Sequence, residues 1–328
     1  MINGHDVVNN IIKEIKNNNN ISNYYLDNLG MIYRLSVRYS LLVSKLIKYS
    51  NITPNKESLC NSDILLLSKE YLNMVSNNYP DMLDKLYNNE QVSFTFEKNK
   101  SSSTDFDYFK RKTMINIKRE GNYLDVLQMV HEFMHYTNYN PANIYDKTRR
   151  DLTEFVSIYH ELLTSIFLIK KYNIKPNKIN EKNRLINTFE CSYDVISSFL
   201  PILVGLNNEI NDNSNLFLNK EYNIKVNKNT FDDSVFSLLN IKYKLKNNDD
   251  FINYFNETCS YILCTYLAFY SLYNINSEDI DYLNDNLNRI NITPEKILSD
   301  INIKIDNDFE NKALSNIKKY TKKYILSK

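Results

Sequence analysis

One stretch, His131-Glu132-Phe133-Met134-His135, constrains this chain more tightly than any other. Two histidines four residues apart share one face of an α-helix, about a turn from each other, and both imidazoles can then reach a single metal ion. The glutamate between them projects beside that face, where its carboxylate can act as general base toward water activated by the metal. The chain has only four histidines, and this stretch uses two of them. Whatever the rest does, it must place this helix against a cleft.

Two histidines do not complete a catalytic zinc site. A third protein ligand is required, with the fourth position left to water. The next candidate helix opens at Arg149-Arg150-Asp151-Leu152-Thr153-Glu154 and runs to about Lys171. Glu154 lies 19 residues beyond His135, room enough to end one helix, turn, and bring a second back across it. Glu154, Ser157 and Glu161 stand at i, i+3 and i+7 and share a face. Asp151 with a glutamate three residues later also fits a capping pattern, so capping competes with ligation for Glu154. His160 competes as third ligand but projects roughly 100° away from Glu161. Glu161 could itself be the ligand; its better use is to accept a hydrogen bond from a ligating imidazole and fix its tautomer.

Only four glycines and six prolines occur in 328 residues, which argues for long helices and few tight turns. From about Ile21 to Leu86 the chain reads as helices. Ile32, Leu35, Tyr39, Leu42 and Leu46 recur at the steps of one buried helical face. Thr53-Pro54 breaks that run, Ser62 or Asp63 caps a second helix through Ile64–Val75, and Pro80 restarts a third. Val92–Glu97 and Thr113–Lys118 alternate as strands do, with Lys98–Asp105 a polar loop between them and Gly121 a turn. An edge strand beside a metal cleft can hold an extended peptide through main-chain hydrogen bonds; a purely structural hairpin is the other reading. The motif helix begins near Tyr123–Asp125, passes Tyr136, and stops at Asn140-Pro141. Downstream, residues 176–190 and 207–230 read as loops, and Ser192–Leu206 as a helix interrupted by Pro201. Thr230–Leu245 and Phe251–Tyr273 read as further helices, and Ile280–Leu326 as two more separated at Asn291-Ile-Thr-Pro294. His5 is expected on the surface of a mobile terminus.

Composition removes several function classes. The net charge of +1 gives no global attraction to nucleic acid or anionic membranes. Cys60, Cys191, Cys259 and Cys264 form no CxxC pair, which suits reduced thiols in a cytoplasmic protein. The start of the chain shows no basic segment followed by an apolar run, and the longest apolar stretches fall short of a membrane span.

The segment from Asp125 through His131-Glu132-Phe133-Met134-His135, followed by Arg150-Asp-Leu-Thr-Glu154-Phe-Val-Ser157 and Glu161, resembles the thimet oligopeptidase and oligoendopeptidase F family of zinc peptidases. That family reads HExGH on its zinc helix, with a ligand Glu on the next helix followed by Ser three and Glu seven residues later. The resemblance implies that His131, His135 and Glu154 bind one zinc ion and that Glu132 activates water. The spacing of Tyr254 and Tyr261 is similar to the family's tyrosine-rich segment, whose phenols contact substrate and the developing oxyanion. Met134 stands where the family has Gly, and Asn138 where it often has a third histidine; these changes are expected to narrow or reshape the cleft. No histidine follows His160, so the family's histidine ahead of those tyrosines is absent. The likeness covers the chain from about Val92 onward.

The expected fold is mainly α, a helical zincin-like (gluzincin) catalytic region with a small β-sheet beside the active-site cleft. Residues 1–91 form an N-terminal helical lobe and 92–328 the catalytic region. The expected function is zinc-dependent hydrolysis of peptides, with Glu132 as base and Tyr261 or Tyr254 as oxyanion donor. The alternative is a catalytically silent protein of the same fold that binds peptides or regulates.

Overall fold

The structure is a computed structural model, and it describes residues 4–17, 20–46, 59–97, 100–107, 109–138, 153–174, 184–185, 198, 216–217, 225–226, 228–245, 248–286 and 294–325. The chain begins with α1 (Gly4–Lys16), α2 (Asn20–Asp27), α3 (Leu29–Leu46), α4 (Asn61–Val75) and α5 (Tyr79–Asn88). Three strands follow, β1 (Val92–Thr95), β2 (Ser103–Asp107) and β3 (Lys112–Lys118), and then α6 (Leu124–Asn138) and α7 (Thr153–Tyr172). A two-residue pair, β4 (Leu216–Phe217) and β5 (Lys225–Val226), precedes α8 (Lys228–Lys244) and α9 (Asn248–Asn274). The last helices are α10 (Ser277–Asn286), α11 (Pro294–Asp300) and α12 (Asn307–Tyr320), the last running into a π-helical turn at Thr321–Ile325. The fold is mainly helical with a small mixed sheet. Among the described residues no helix is long and apolar enough to cross a membrane.

α9 is the organising element. It spans 27 residues and buries Phe251, Phe255, Ile262, Leu263, Tyr266 and Phe269, among others, on nearly every side. A helix that is apolar all round belongs in a core. It packs against α2, α3, α7 and α12. Polar groups pin these contacts: the Tyr266 hydroxyl donates to Leu35 O at 2.9 Å and Asn316 Nδ2 to Phe269 O at 3.0 Å. Arg34 and Arg38 of α3 both pair with the buried carboxylate of Glu310 on α12. One buried apolar cluster runs from Ile11 to Ile325.

Several expectations are corrected. α1 lies before the first expected helix, and the described terminus is helical from Gly4, with Ile11 and Ile15 one turn apart and buried. The cap of α4 is Cys60, not Ser62 or Asp63. Asp63 instead accepts from Cys60 N at 2.9 Å as the third helical residue of a capping box. The expected polar loop Lys98–Asp105 holds the start of β2. The sheet order is β1-β3-β2, with β1 parallel and β2 antiparallel to β3, so the two expected strands are parallel neighbours and not a hairpin. The start of α8 and the β4–β5 pair fall inside the stretch read as a 207–230 loop. The described residues of the tail form three helices, and Asn302 takes a positive φ of 58° just after α11 ends at Asp300. Thr53-Pro54, Asn140-Pro141, Asp151 and most of 176–206 lie outside the described residues.

The N-terminus of α6 is held by several contacts, which matters because it aims the motif. Gly121 takes φ +76°, and an added Cβ would meet nothing within 4 Å, so backbone conformation and not space favours glycine there. Asn122 Oδ1 accepts from Leu124 N at 2.9 Å as a cap. Asp125 is wholly buried and accepts from Arg119 Nε, Glu120 N and Gly121 N at 2.7–2.9 Å.

Candidate metal centre

α6 and α7 pack closely, and the contacts between them bring three of the expected residues together. His131 Nε2 and His135 Nε2 lie 3.1 Å apart. Glu154 Oε2 is 3.5 Å from His131 Nε2, and Glu154 Oε1 is 3.4 Å from His135 Nε2. Four-coordinate zinc with bonds of 2.0–2.1 Å sets its ligand atoms about 3.3 Å apart. Each imidazole nitrogen therefore has a Glu154 oxygen near that spacing, a different oxygen for each ring, and with one donor atom per residue the three lie within 4.8 Å of one another. Two imidazole nitrogens this close also need a proton or a cation between them. Glu154 is buried, and its Oε2 has no hydrogen-bond partner among the described residues. Such an oxygen in a native interior calls for a missing partner. The donor set could hold one metal ion.

The electrostatics agree with the geometry. Burial would raise the pKa of Glu154, but the charge of His135 and contacts from both imidazoles hold it well below the usual carboxylate range. Burial would lower His131, yet the adjacent carboxylates of Glu154 and Glu161, with Glu132 nearby, hold it well above its ordinary value. Glu161 does not join the triangle. Its Oε2 sits 3.0 Å from His131 Nδ1, on the far side of the ring. That contact keeps the proton on Nδ1 and leaves Nε2 for a metal. His160 is turned away altogether: its Nδ1 shares a 2.7 Å hydrogen bond with the Tyr71 hydroxyl on α4. Ser157 is buried on the expected face, and its Oγ has no hydrogen bond among the described residues.

Glu132 is 7% exposed and faces a cavity of about 680 Å³ that it shares with His131, Glu161, Tyr254 and Tyr261. Both tyrosines thus reach the chamber that the motif opens onto, Tyr254 from the second turn of α9 and Tyr261 from its middle. Met134 does not narrow that chamber. It is 2% exposed and packed in the apolar core, and it is absent from the described cavity lining.

Two residues of the site escaped the sequence. The Thr104 hydroxyl, on β2, lies 2.8 Å from Glu132 O and 2.9 Å from Glu132 Oε2. It tethers the sheet to the expected base. Arg184 pairs with Glu161 Oε1 and lines the same cavity. Neither sits in a motif. Thr104 follows a run of serines, and Arg184 lies within an Asn/Lys-rich stretch where one more cation carries no signal.

Compared with family models, curated proteins and solved structures, the chain matches none. The likeness to the oligopeptidases rests on the quoted residues alone.

Proposed function

We propose that this chain is a zinc-dependent metallopeptidase of gluzincin type that hydrolyses peptides. The observation that carries the reading is the triangle of His131, His135 and Glu154 donors with the Glu132 carboxylate beside it. His131, His135 and Glu154 would hold the ion, and Glu161 would orient His131. Bound zinc supplies a Lewis acid that acidifies water and polarises a carbonyl.

The chain's own groups do the rest. Glu132 takes the proton of the attacking water and returns it to the leaving amine. Tyr261 and Tyr254 donate hydrogen bonds to the oxygen on which negative charge develops. Thr104 holds Glu132 against β2, whose outer edge pairs with no strand among the described residues. An extended peptide added there would lie along α6 at the level of Glu132, which favours peptides over small esters as substrates.

The test is metal content together with turnover of a quenched fluorescent peptide library, with and without a chelator. Stoichiometric zinc with chelator-sensitive cleavage supports the reading. Stoichiometric zinc without cleavage of any peptide would replace it with the silent peptide-binding alternative.

A further inference from the structure

The cavity that opens beside Glu132 measures about 680 Å³, within the range of roughly 300–1,000 Å³ usual for ligand sites. Among the residues that α9 contributes to its lining are Tyr254, Glu257 and Tyr261. They stand at i, i+3 and i+7 and share one face of the helix. Glu257 is half-buried and lies about one turn from either tyrosine. On the peptidase reading the two phenols serve the developing oxyanion. Glu257, the ionisable group between them, has no part in the chemistry.

Acids exceed cations on the described lining. Lys118 pairs with Glu120 at 3.1 Å and Arg184 with Glu161, and all four line the cavity. Lys100, the third cation of the lining, pairs with Glu97 at 3.0 Å. Glu132 and Glu257 are further carboxylates on the same wall space. A divalent ion held by Glu154 beside Glu132 would be matched in charge by those two carboxylates, so it would not cancel Glu257. Glu257 has a contact of its own within the chain, but a carboxylate offers about four lone-pair sites and can accept from several donors at once. An acidic substrate group entering here would have to compete for cations that already hold a carboxylate. A cationic one would meet an acceptor of opposite charge on a wall partly screened from water.

We propose that Glu257 is a specificity residue that recognises a cationic group of the peptide substrate, a free α-ammonium or a lysine or arginine side chain, close to the bond cleaved. The inference deepens the peptidase reading and rests on it. Its position one turn from both phenols sets the preference, because a peptide whose cleaved carbonyl meets a tyrosine brings its neighbouring groups to the Glu257 carboxylate. A hydrogen bond between charged partners there is worth about 10–100-fold in binding.

The test uses the full zinc-loaded chain and quenched peptides matched except in charge, with cleavage sites read from product masses. One set carries lysine, arginine, norleucine or glutamate beside the bond cut, and a second is offered with free and with acetylated N-termini. Lysine or arginine should exceed norleucine in kcat/KM at least about tenfold, or the free N-terminus the acetylated one, with glutamate the poorest. The first result names the side chain as the source of the cation, the second the ammonium. In Glu257→Gln the advantage should vanish, mainly through a raised KM for the cationic peptides. No advantage in the wild-type chain, or one that survives Glu257→Gln, overturns the assignment and leaves the peptidase reading intact. If no peptide is cleaved, the peptidase reading falls, and calorimetry decides Glu257 by itself. N-acetyl-lysine amide and norleucine amide, each with one cation, are then compared with N-acetyl-norleucine amide, which has none. A cationic probe that binds about tenfold tighter and loses that margin in Glu257→Gln keeps the assignment; equal binding overturns it. Should Glu257→Gln fail to fold, Glu257→Ala takes its place in both comparisons, and a wild-type chain indifferent to charge overturns the assignment whatever the variants do.

Discussion

The Nε2 atoms of His131 and His135 face each other at 3.1 Å, with Glu154 Oε2 3.5 Å from the first and Glu154 Oε1 3.4 Å from the second. In the metal-free chain a proton must relieve this crowding, and Glu154 and Glu161 hold His131 well above its ordinary 6.5 against the opposing effect of burial. Zinc has to displace that proton. Zinc affinity should therefore rise with pH above 6.5, about tenfold per unit for one displaced proton, until the folded value is passed. Calorimetry in buffers of different ionisation enthalpy measures that proton, and none released at pH 7 would contradict the picture. Without metal, the stability contributed by His131 is complete below 6.5 and lost as pH rises through the raised value. Glu154, held below 4.5, contributes above 4.5 and loses its share as pH falls.

Glu132→Gln should leave zinc stoichiometric and lower peptide turnover at least about 100-fold. Metal analysis and a fluorogenic assay on the same sample check both halves. Full activity in this variant would remove Glu132 from the mechanism.

Glu154→Ala should weaken zinc retention far more than Glu161→Ala, since one deletes a donor and the other a partner of a donor. The expected loss for Glu161→Ala is about 10–100-fold in affinity. The reverse ranking in a chelator competition would make Glu161 the third ligand.

Arg184→Gln should weaken zinc by about tenfold through Glu161, and Arg184→Lys should recover part of that loss by keeping the charge. Unchanged affinity in Arg184→Gln would show that Glu161 holds its position without help.

The Tyr71–His160 pair is separate from the metal and should behave so. Burial pushes His160 down to about 4, so the unfolded chain takes up a proton near 6.5 that the folded chain refuses. Stability should fall as pH drops from 6.5 toward 4, by up to about 3 kcal/mol from this group. Tyr71→Phe should cost about 1–3 kcal/mol in denaturant unfolding, by stranding a buried ring nitrogen, while zinc stoichiometry stays at the wild-type value.

The triangle is legible in the sequence because helical period converts spacing directly into a shared face, for His131 and His135 on α6 and for Glu154 and Glu161 on α7. What periodicity does not encode stays hidden. β2 has no alternation to read: all five of its residues are partly or fully exposed, as suits an edge strand with no deeply buried face. α1 escapes because Asn9 and Asn10 dilute a pattern that only Ile11 and Ile15 complete. Arg184 and Thr104 act through tertiary contacts, and nothing in their neighbours announces those. Met134, expected to narrow or reshape the cleft, sits on the core face of α6, away from the described lining of the chamber.

The metal donors and their orienting glutamate fall within residues 131–161, on two helices adjacent in the chain, while Tyr254 and Tyr261 arrive on α9 from far downstream. On the proposed reading, grip on the ion would be written locally, and contact with the substrate at long range. A substitution in α9 would then change what meets the substrate while leaving the candidate centre on α6 and α7 as it is.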